Sequence, residues 1–478
     1  MNRNAKFTLI GVIVIGFFVV LVYLLGRHFS ESDPNPPDTC GNKTCVNLDG
    51  NKTCVNLDGK KTCYAADPTP YRNYGTKASY PAVYEDYTTS YDLEGCVPKV
   101  FYLLSRHATR YPDKEYILYI NEHLPSLKEK IIAAYEKGEA KLCEDDVNKL
   151  RAWSPTMTKG DQNQLSATGA AEAEELGERL RKRFPQILGM NYSPEVFEIA
   201  YTTRSRTQDT AENFTRGLIT EKDYEKINFN GKANDTLLQF HKDCKKIMKK
   251  CDNPQFDVKE VEEYVNGTLM QKALDSISKR IGFSVSSEDI THMYVACTFG
   301  HALNISDAWC SLFSNDDIKV MEYADDIEDY YKRSYGNDVN YEQACPLIKY
   351  IIDLFRSYEK TKKNKVALHF SHAGALTRIF AALGMFKDER KLTAEDFCAL
   401  NNRKWRTSNV VPFNTNLAFV LYDCKGKLKF LTMHNEKPIA IAGCEVNKLC
   451  SLETFYDEYN SKATDCDLKK ICHICKTK

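Results

Sequence analysis

Three short apolar segments of this chain each end in basic residues, and helix-favouring stretches follow them in the sequence. The segments are residues 100–104, 197–202 and 365–370. Their composition predicts β-strands, and strands that alternate with helices predict the α/β class, with a mainly parallel sheet covered by helices. In open sheets of this class, ligands bind beyond the carboxyl ends of the strands. We therefore expect one binding site, formed by the residues that directly follow the three segments.

Basic side chains at these strand ends predict a site for phosphate. They are Arg106, His107 and Arg110 after the first segment, Arg204 and Arg206 after the second, and His372 after the third. Guanidinium groups bind phosphate oxygens through paired hydrogen bonds, and the N-terminus of the helix predicted around Arg206 also favours an anion. A neutral imidazole can attack phosphorus and form a covalent intermediate. The pattern therefore predicts phosphoryl transfer, with His107 as the candidate nucleophile.

These motifs resemble those of the histidine acid phosphatases. Residues 106–112, Arg-His-Ala-Thr-Arg-Tyr-Pro, are similar to the Arg-His-Gly-x-Arg-x-Pro signature of that family, and residues 206–214 resemble its central-arginine helix. Further landmarks, including Trp309–Phe313 and Tyr331–Gly336, resemble the branch that contains phytases and multiple inositol polyphosphate phosphatases. The resemblance covers about residues 80 to 460, and the agreement of several motifs in one order makes it specific.

The resemblance implies a histidine-phosphatase α/β/α sandwich with a mostly α-helical inserted lobe. The expected parts are an α/β domain in residues 80–214 and 351–460, a helical lobe in residues 215–350, and a cysteine-rich tail in residues 461–478. Within the α/β domain, the Ala, Glu, Leu and Arg content predicts a helix from Leu165 to about Phe184. Alternating apolar residues predict two closing strands, at 416–422 and 428–434.

The resemblance also implies roles for the basic residues. The implied catalytic residues are His107, the nucleophile that becomes phosphohistidine, with Arg106, Arg110, Arg206 and His372 around the transferred phosphate, and the implied substrate-binding residues are Arg204 and Thr109. In this scheme the arginines supply the charge stabilisation that a metal ion supplies elsewhere. Neither a metal nor a cofactor is therefore expected.

Two positions depart from the family pattern. Ala108 stands where the family has glycine, and its methyl group could crowd the phosphate loop. Gly374 stands where the inositol polyphosphate group has a glutamate that acts as general acid. Loss of a positioned acid slows a reaction by about 10²- to 10⁴-fold, most for a poor leaving group. Candidate donors are Asp113, bound water and the phosphates of the substrate; we expect an activated aryl phosphate to react faster than an inositol phosphate, and Gly374→Glu to restore the latter.

A further basic group falls in the predicted helical lobe. Its members are His241, Lys242, Lys245, Lys246, Lys249 and Lys250. They either bind additional phosphates of the substrate or form a solvated face of a helix.

The predicted function is hydrolysis of phosphate monoesters of inositol polyphosphates, as in phytases, with 2,3-bisphosphoglycerate as an open second substrate. Two alternatives remain: a broad-specificity acid phosphatase, and a catalytically impaired surface glycoprotein that binds phosphorylated ligands because Gly374 replaces the acid. The 65 Lys and Arg residues balance the 65 Asp and Glu residues, so we expect no nucleic-acid partner. The oligomeric state stays open.

An apolar run near the N-terminus predicts a membrane anchor. Residues 7–26 are long enough to span a bilayer, and basic residues flank them on both sides. We expect a cytoplasmic tail (1–6), a transmembrane signal-anchor (7–26) and a stalk (27–79) that contains a nine-residue repeat, at 41–49 and 50–58. The catalytic part is then lumenal or extracellular. Cleavage of the apolar run as a signal peptide, giving a secreted protein, is the alternative.

Cysteine usage agrees with translocation into the secretory pathway. The chain has 18 cysteines, which predicts disulfides and an oxidising compartment. The resemblance implies a disulfide between Cys297 and Cys310. The C-terminal cysteines predict local disulfides, and they are Cys444, Cys450, Cys466, Cys472 and Cys475.

Asn-x-Ser/Thr sequons predict N-glycosylation in a translocated chain. The candidates are Asn42, Asn51, Asn191, Asn234, Asn266 and Asn304. Asn213 forms a further sequon, but it falls in the helix predicted after Arg206, so we do not include it among the glycosylation candidates.

Overall fold

The computed structural model describes residues 70–84, 93–248, 258–446 and 448–473. The predicted cytoplasmic tail, the signal-anchor and the repeats of the stalk lie outside these ranges, as do the sequons at Asn42 and Asn51. No helix within the ranges is long and apolar enough to cross a bilayer. The described residues therefore belong almost entirely to the part of the chain predicted to be translocated.

A seven-stranded mixed sheet runs through the described residues. Its strands are β1 (Cys96–Arg106), β2 (Phe197–Tyr201), β3 (Lys365–Ser371), β4 (Asn416–Cys424), β5 (Lys427–His434), β6 (Lys437–Pro438) and β7 (Cys450–Ser451). Their spatial order is β2-β3-β1-β4-β5-β6, and β7 pairs with β5. The three apolar segments that predicted strands are β1, β2 and β3, which are parallel to one another. The predicted closing strands are β4 and β5, which pair in antiparallel fashion.

Side chains of the central strand β1 enter two separate cores. Val100, Tyr102 and Leu104 belong to one hydrophobic cluster, Phe101 and Leu103 belong to another, and all five are fully buried. Because successive side chains of a strand point to opposite faces, both faces of the sheet are covered. A strand covered on both faces needs apolar residues without alternation. The predicted α/β/α sandwich is thus confirmed.

Nineteen α-helices are present in the described ranges. They are α1 (Lys114–Glu122), α2 (Leu124–Glu136), α3 (Glu144–Ala152), α4 (Ala167–Arg183), α5 (Pro185–Leu188), α6 (Ser205–Leu218), α7 (Glu221–Tyr224), α8 (Asp235–Leu238), α9 (Phe240–Met248), α10 (Lys259–Val265), α11 (Thr268–Ile281), α12 (Ser287–Ala302), α13 (Asn315–Arg333), α14 (Asp338–Glu342), α15 (Cys345–Thr361), α16 (Ala373–Ala382), α17 (Thr407–Val410), α18 (Leu452–Thr464) and α19 (Leu468–Ile471). Short 3₁₀ helices cover Pro70–Asn73, Gly75–Lys77, Tyr80–Ala82, Lys159–Asp161 and Ala308–Leu312. Helices α4 and α6 pack on one face of the sheet, and α15, α16 and α18 pack on the other. The predicted helix from Leu165 to Phe184 is α4, which begins after the N-cap Ser166.

Every regular element described between residues 215 and 350 is helical, as expected for the inserted lobe. Part of this lobe shares its core with helices from earlier in the chain. Leu127 and Ile131 of α2 lie in the same hydrophobic cluster as Met293 of α12. Helices α1–α3, which fall within the predicted α/β range, therefore pack with the helical lobe. The domain boundaries themselves stay a prediction.

Five disulfides join described cysteines: Cys96–Cys424, Cys244–Cys472, Cys297–Cys310, Cys345–Cys466 and Cys444–Cys450. The pair implied by the resemblance, Cys297–Cys310, is confirmed. The prediction of local disulfides near the C-terminus holds for Cys444–Cys450 but is wrong for Cys466 and Cys472. These two cysteines pair with α15 and α9 because the C-terminal helices pack back against those helices. The disulfides indicate a secretory or lumenal protein.

Candidate active site

The basic residues predicted at three strand ends lie along one edge of the sheet. Because β1 and β2 both run parallel to β3, their carboxyl ends meet. His107 directly follows β1, Arg204 and Arg206 follow β2, and His372 directly follows β3. The ring centroids of His107 and His372 are 5.4 Å apart. The parallel strands therefore bring the predicted nucleophile close to residues that are far away in the sequence.

His107 is 3% exposed and is held by hydrogen bonds. Its backbone N–H donates to the Ser371 carbonyl at 2.9 Å, and its Nδ1 lies 3.0 Å from the carbonyl oxygen of Ala108. Since a carbonyl can only accept, Nδ1 carries the hydrogen and Nε2 keeps its lone pair. Burial lowers the pKa of His107 well below its usual value, and the charges of Arg206 and Arg106 lower it further. These effects favour the neutral form of the imidazole, which is the nucleophilic form.

Three arginines place their charges next to this imidazole: Arg106, Arg110 and Arg206. Arg106 donates through Nη1 to the carbonyl oxygens of Thr76, at 2.7 Å, and Val411, at 2.5 Å. The Nε atoms of all three arginines are buried and have no hydrogen-bond partner within the described part of the chain. Buried donors without partners are costly. The three guanidinium groups therefore place donors and positive charge beside one imidazole, an arrangement that suits an anion.

Nearby acids balance only part of the positive charge in this pocket. Burial, with the charges of Arg110 and Arg204, lowers the pKa of Arg206 to about 10. Burial also lowers the pKa of Arg106, and Arg110 contributes to that shift. The carboxylate of Asp113 lies 3.6 Å from Nη2 of Arg110 and offsets only part of this repulsion. A bound phosphate would relieve the repulsion, because an opposite charge favours each cation.

His372 occupies the N-cap position of α16 and is fixed by polar contacts. Its Nδ1 lies 3.4 Å from Nη2 of Arg206, and its Nε2 lies 3.0 Å from Oγ1 of Thr202. A guanidinium group only donates, so Nδ1 accepts and the Nε2–H group donates to Thr202. The Thr202 hydroxyl is in turn 2.8 Å from the Thr207 hydroxyl. Burial, with the charge of Arg206, lowers the pKa of His372 to about 2, so its ring is neutral.

The two predicted substrate-binding residues lie in different surroundings. Arg204 is exposed at the N-cap of α6, and its charge acts on both Arg206 and Lys242. Thr109 is fully buried. Its hydroxyl donates to Oε2 of Glu172 at 2.7 Å, and its backbone N–H donates to the same atom at 3.3 Å. The structure therefore leaves Arg204 accessible to a ligand and directs the Thr109 hydroxyl to a buried carboxyl.

The side chains that support the loop after β1, Glu172 and Thr210, were not predictable from the sequence. Glu172 is 6% exposed, and burial raises its pKa to about 7 despite its bonds to Thr109. Thr210 of α6 accepts a hydrogen bond from the backbone N–H of Ala108 at 3.2 Å. Both residues belong to segments whose composition predicts only a helix. No signal in residue type distinguishes a supporting Glu or Thr from a surface one.

The methyl group of Ala108 fits without strain. Ala108 is fully buried in the same hydrophobic cluster as Phe101 and Leu103. It is not among the described non-glycine residues that have a positive φ. The backbone therefore needs no glycine at this position. The departure from the family signature leaves the phosphate loop intact.

Residues 99–437 match the family model of the histidine phosphatase superfamily (branch 2). The chain belongs to this family. The match covers well over half of the chain and contains every residue predicted to be catalytic, from Arg106 to His372. The fold of a branch 2 histidine phosphatase and the strand-end pocket thus coincide in one continuous region.

Relatives of this branch 2 protein carry phosphatase names. It is 28% identical over 412 residues to multiple inositol polyphosphate phosphatase 1 of Drosophila melanogaster, with 83% of this chain and 86% of the relative covered. It is 26% identical over 414 residues to the Homo sapiens protein of the same name, with 80% and 83% covered. A repressible acid phosphatase of Saccharomyces cerevisiae is 24% identical over 411 residues, with 81% and 83% covered.

Solved structures show the same fold. The phytase from D. castellii superposes with a TM-score of 0.68 at 17% identity, and 84% of this chain and 87% of the phytase are covered. The multiple inositol polyphosphate phosphatase of Bifidobacterium longum, in complex with inositol hexasulfate, has a TM-score of 0.58 at 15% identity, with 78% and 94% covered. The branch 2 protein thus shares its α/β sandwich and helical lobe with both enzymes.

Proposed function

We propose that this branch 2 protein hydrolyses phosphate monoesters of inositol polyphosphates through a phosphohistidine intermediate. The observation that carries the proposal is the neutral, buried imidazole of His107 beside Arg106, Arg110 and Arg206, whose Nε atoms have no partner in the described residues. Relatives named for inositol polyphosphates, which match over most of their length, support this substrate class.

The first chemical step is attack by Nε2 of His107 on phosphorus. The P–N bond forms as the bond to the ester oxygen breaks, and the arginines stabilise the charge on the non-bridging oxygens. The hydrogen bond from Nδ1–H to the Ala108 carbonyl keeps Nε2 oriented and stabilises the positive charge that the ring acquires. In the second step water attacks the phosphohistidine, inorganic phosphate leaves, and the neutral ring is regenerated.

A second set of cations beside the pocket supports a substrate with several phosphates. Arg204 is exposed, and its charge lowers the pKa of Lys242, after the larger effect of burial. Arg206 acts on Lys242 in the same direction. A polyphosphate neutralises more of these charges than a monophosphate does. This clustering favours an inositol polyphosphatase over the alternative, an acid phosphatase of broad specificity.

The test is a comparison of two substrates with purified full-length protein in detergent, from acid to neutral pH. We expect phosphate release from inositol hexakisphosphate and from 4-nitrophenyl phosphate, and no release by His107→Ala. The cations beside the pocket lead us to expect a higher kcat/KM for the inositol phosphate, the reverse of the order expected from Gly374 alone. Equal kcat/KM values would favour the broad-specificity alternative. Phosphate release that survives in His107→Ala, or none in the wild type, would refute the proposed reaction.

We also propose that residues 7–26 anchor the enzyme and that its catalytic part is N-glycosylated. Among the sequons in the described residues, Asn191, Asn234, Asn266 and Asn304 are exposed. Asn213 is partly buried in α6 and donates to the Asp209 carbonyl at 2.8 Å. The test is treatment with a peptide N-glycosidase and extraction of membranes at alkaline pH. A chain that loses no mass on glycosidase treatment would contradict N-glycosylation. A chain that leaves the membrane at alkaline pH without detergent would contradict the anchor.

A further inference from the structure

The proposed function requires a proton donor for the leaving oxygen. An inositol hydroxyl is a poor leaving group, so its oxygen must gain a proton as the P–O bond breaks. Arginines cannot deliver this proton, because they stay protonated in proteins. Position 374, where the resemblance implies a glutamate, is a glycine. If the proposed function holds, another group near His107 and His372 must act as the acid.

Several titratable groups near the pocket are already engaged. Asp113 accepts a hydrogen bond from Asn163 at 2.6 Å, and its other oxygen lies 3.6 Å from Arg110. Glu172 accepts two hydrogen bonds from the loop that it supports. Both ring nitrogens of His372 have polar contacts. Asp329 of α13 accepts a hydrogen bond from Arg333 at 2.7 Å. His241 of the helical lobe is the titratable group that lies directly beside position 374.

The imidazole of His241 fills the space beside Gly374. A Cβ atom at position 374 would lie 3.6 Å from Nε2 and 3.9 Å from Cε1 of His241. It would also lie 3.3 Å from Nη1 of Arg378, which is closer than ordinary van der Waals contact, so the Arg378 side chain would have to shift by a few tenths of an ångström. A longer side chain at position 374 would therefore compete with this imidazole for the same volume. The helical lobe therefore places a titratable group, His241, next to position 374 of α16, where the glycine has no side chain.

His241 shares the charged surroundings of the phosphate pocket. Its Nδ1 is buried and has no hydrogen-bond partner among the residues that the structure describes. The cationic groups and the imidazole that face it are Arg378 of α16, Arg333 of α13, Lys242 and Lys245 of its own helix, and His372. Burial, with the charge of Arg378 as the next largest cause, lowers the pKa of His241 to about 3. A bound polyanion neutralises such charges and so favours the imidazolium form in the complex.

Two ties hold His241 at the edge of the sheet. The hydroxyl of Ser371, the last residue of β3, donates to the carbonyl oxygen of Leu238 at 2.6 Å, just before α9 begins. The disulfide Cys244–Cys472 joins α9 to α19. A general acid must be positioned within hydrogen-bond reach of the reacting oxygen. These two contacts hold α9, and with it His241, next to the carboxyl end of β3.

We propose that His241 is the general acid that protonates the leaving oxygen. In the complex its imidazolium N–H gives a proton to the ester oxygen while Nε2 of His107 forms the P–N bond, so the alcohol departs and His241 becomes neutral. In the second step neutral His241 takes a proton from the attacking water as the P–N electron pair returns to His107. His241 is an imidazolium again while inorganic phosphate is bound, and it returns this proton to solvent when the phosphate leaves. Protons and electrons balance over the cycle with water as the only added reactant.

The main test is His241→Gln in the full chain, measured with inositol hexakisphosphate and 4-nitrophenyl phosphate. The value of kcat/KM reports only on steps up to departure of the alcohol, and nitrophenolate leaves without a proton. We therefore expect kcat/KM to fall by about 100-fold for the inositol phosphate and by less than about 3-fold for the aryl phosphate. Slower attack by water should also produce a pre-steady-state burst of nitrophenol. The matched control is His123→Gln, at an exposed histidine of α1–α2, which should change neither value.

A series of aryl phosphates with increasingly basic leaving groups makes the test sharper. The decline of kcat/KM along the series should be steeper for His241→Gln than for the wild type, because only the wild type protonates the leaving oxygen. A structural role for His241 would lower the whole series without changing its slope. Circular dichroism and competitive inhibition by inorganic phosphate show whether the variant keeps its fold and its pocket.

Relocation of the acid provides the complementary test. His241→Ala combined with Gly374→Glu places a carboxyl in the emptied space, and we expect it to recover at least about 10-fold of the kcat/KM lost by His241→Ala on the inositol phosphate. Gly374→Glu alone should bring no such gain, contrary to the expectation from sequence, because the imidazole occupies the volume.

The outcomes separate this proposal from the proposed function. Equal losses on both substrates, unchanged slopes, or no recovery in the double variant would each overturn the role of His241. A wild-type protein that releases no phosphate, or a His107→Ala variant that still does, would instead refute the phosphohistidine reaction itself.

Discussion

The candidate active site has two walls that are built in different ways. The strand-end wall consists of residues at or just beyond the carboxyl ends of β1, β2 and β3, namely Arg106, His107, Arg110, Arg206 and His372. The helix wall consists of α9, with His241 and Lys242. Parallel strands position the first wall through short consecutive motifs, whereas tertiary packing of the inserted lobe positions the second. If both proposals hold, the sandwich fixes phosphate binding, while leaving-group chemistry and contacts to further phosphates depend on the lobe.

The supports of the two walls differ as well. The strand-end wall is held by hydrogen bonds to main-chain carbonyls and by the buried carboxyl of Glu172. The helix wall is tied by the Cys244–Cys472 disulfide and by the hydrogen bond between Ser371 and Leu238. Changes in the first wall should therefore affect every substrate alike. Changes in the second should affect substrates according to their leaving group.

The largest effect is expected for the nucleophile in the strand-end wall. His107→Ala removes the atom that forms the covalent intermediate, so kcat should fall by at least about 10⁴-fold. The loss should be equally severe for inositol hexakisphosphate and 4-nitrophenyl phosphate, because both need the P–N bond. Steady-state kinetics with both substrates, beside the control His123→Gln, measure it. A loss confined to the inositol phosphate would mean that the nucleophile lies elsewhere.

The next largest effect is expected for an arginine of the same wall. Arg206→Ala removes charge from the transferred phosphate and a contact to Nδ1 of His372, and kcat/KM should fall by about 10²- to 10³-fold on both substrates. Arg206→Lys keeps the charge but not the planar donor pair, and it should recover only part of the loss. If the lysine variant matched the wild type, charge alone would explain the role of Arg206.

Much of the strand-end wall was predictable from sequence because each part is local. An apolar segment followed within a few residues by Arg106, His107 and Arg110 predicts both a strand and the contents of its carboxyl end. Parallel pairing then brings His372 and Arg206 to the same edge without further information. The direction in which a side chain points is harder to predict, because it depends on tertiary contacts. The Thr109 hydroxyl turns away to Glu172, which lies in a helix whose sequence carries no sign of that contact.

The helix wall was not predictable in this way. His241 belongs to a basic helical segment whose composition fits either a solvated face or a phosphate site. Its position beside Gly374 depends on how the lobe packs against α16, and contacts at such separations leave no periodicity in the sequence. The same limit applies to Cys472, which forms a disulfide with Cys244 rather than with a close neighbour.

A smaller effect, selective for the helix wall, is expected when its disulfide is removed. Replacing Cys244 and Cys472 together by serine loosens α9, and misplacement of His241 should lower kcat/KM for inositol hexakisphosphate by about 10-fold while sparing 4-nitrophenyl phosphate. The matched control replaces Cys444 and Cys450, which close a loop of sequence separation 6. The measured quantity is the ratio of kcat/KM for inositol hexakisphosphate to kcat/KM for 4-nitrophenyl phosphate. If both pairs of serine substitutions changed this ratio equally, the Cys244–Cys472 disulfide would not be what positions the acid.

The smallest effect concerns the pH dependence of the support under the strand-end wall. Burial raises the pKa of Glu172 from 4.5 to about 7, so the folded state binds its proton more tightly than the unfolded state. This contribution to stability is complete below about pH 4.5 and is lost as pH rises through 7, by on the order of 3 kcal/mol. Glu172→Gln cannot ionise. Its Tm relative to the wild type should therefore increase between pH 5 and pH 8.5, as differential scanning calorimetry at both values can measure.

All other titrating groups are common to the two proteins, so the difference in Tm isolates Glu172. A difference in Tm that stays constant with pH would mean that the Glu172 carboxyl is ionised in the folded state. Thr109 would then donate its hydrogen bonds to a carboxylate. The destabilisation caused by removing Cys244–Cys472 should show no such dependence over this range, because a disulfide does not titrate. Contrasting pH responses of the two variants would thus separate a wall supported by a protonated carboxyl from a wall supported by a covalent bond.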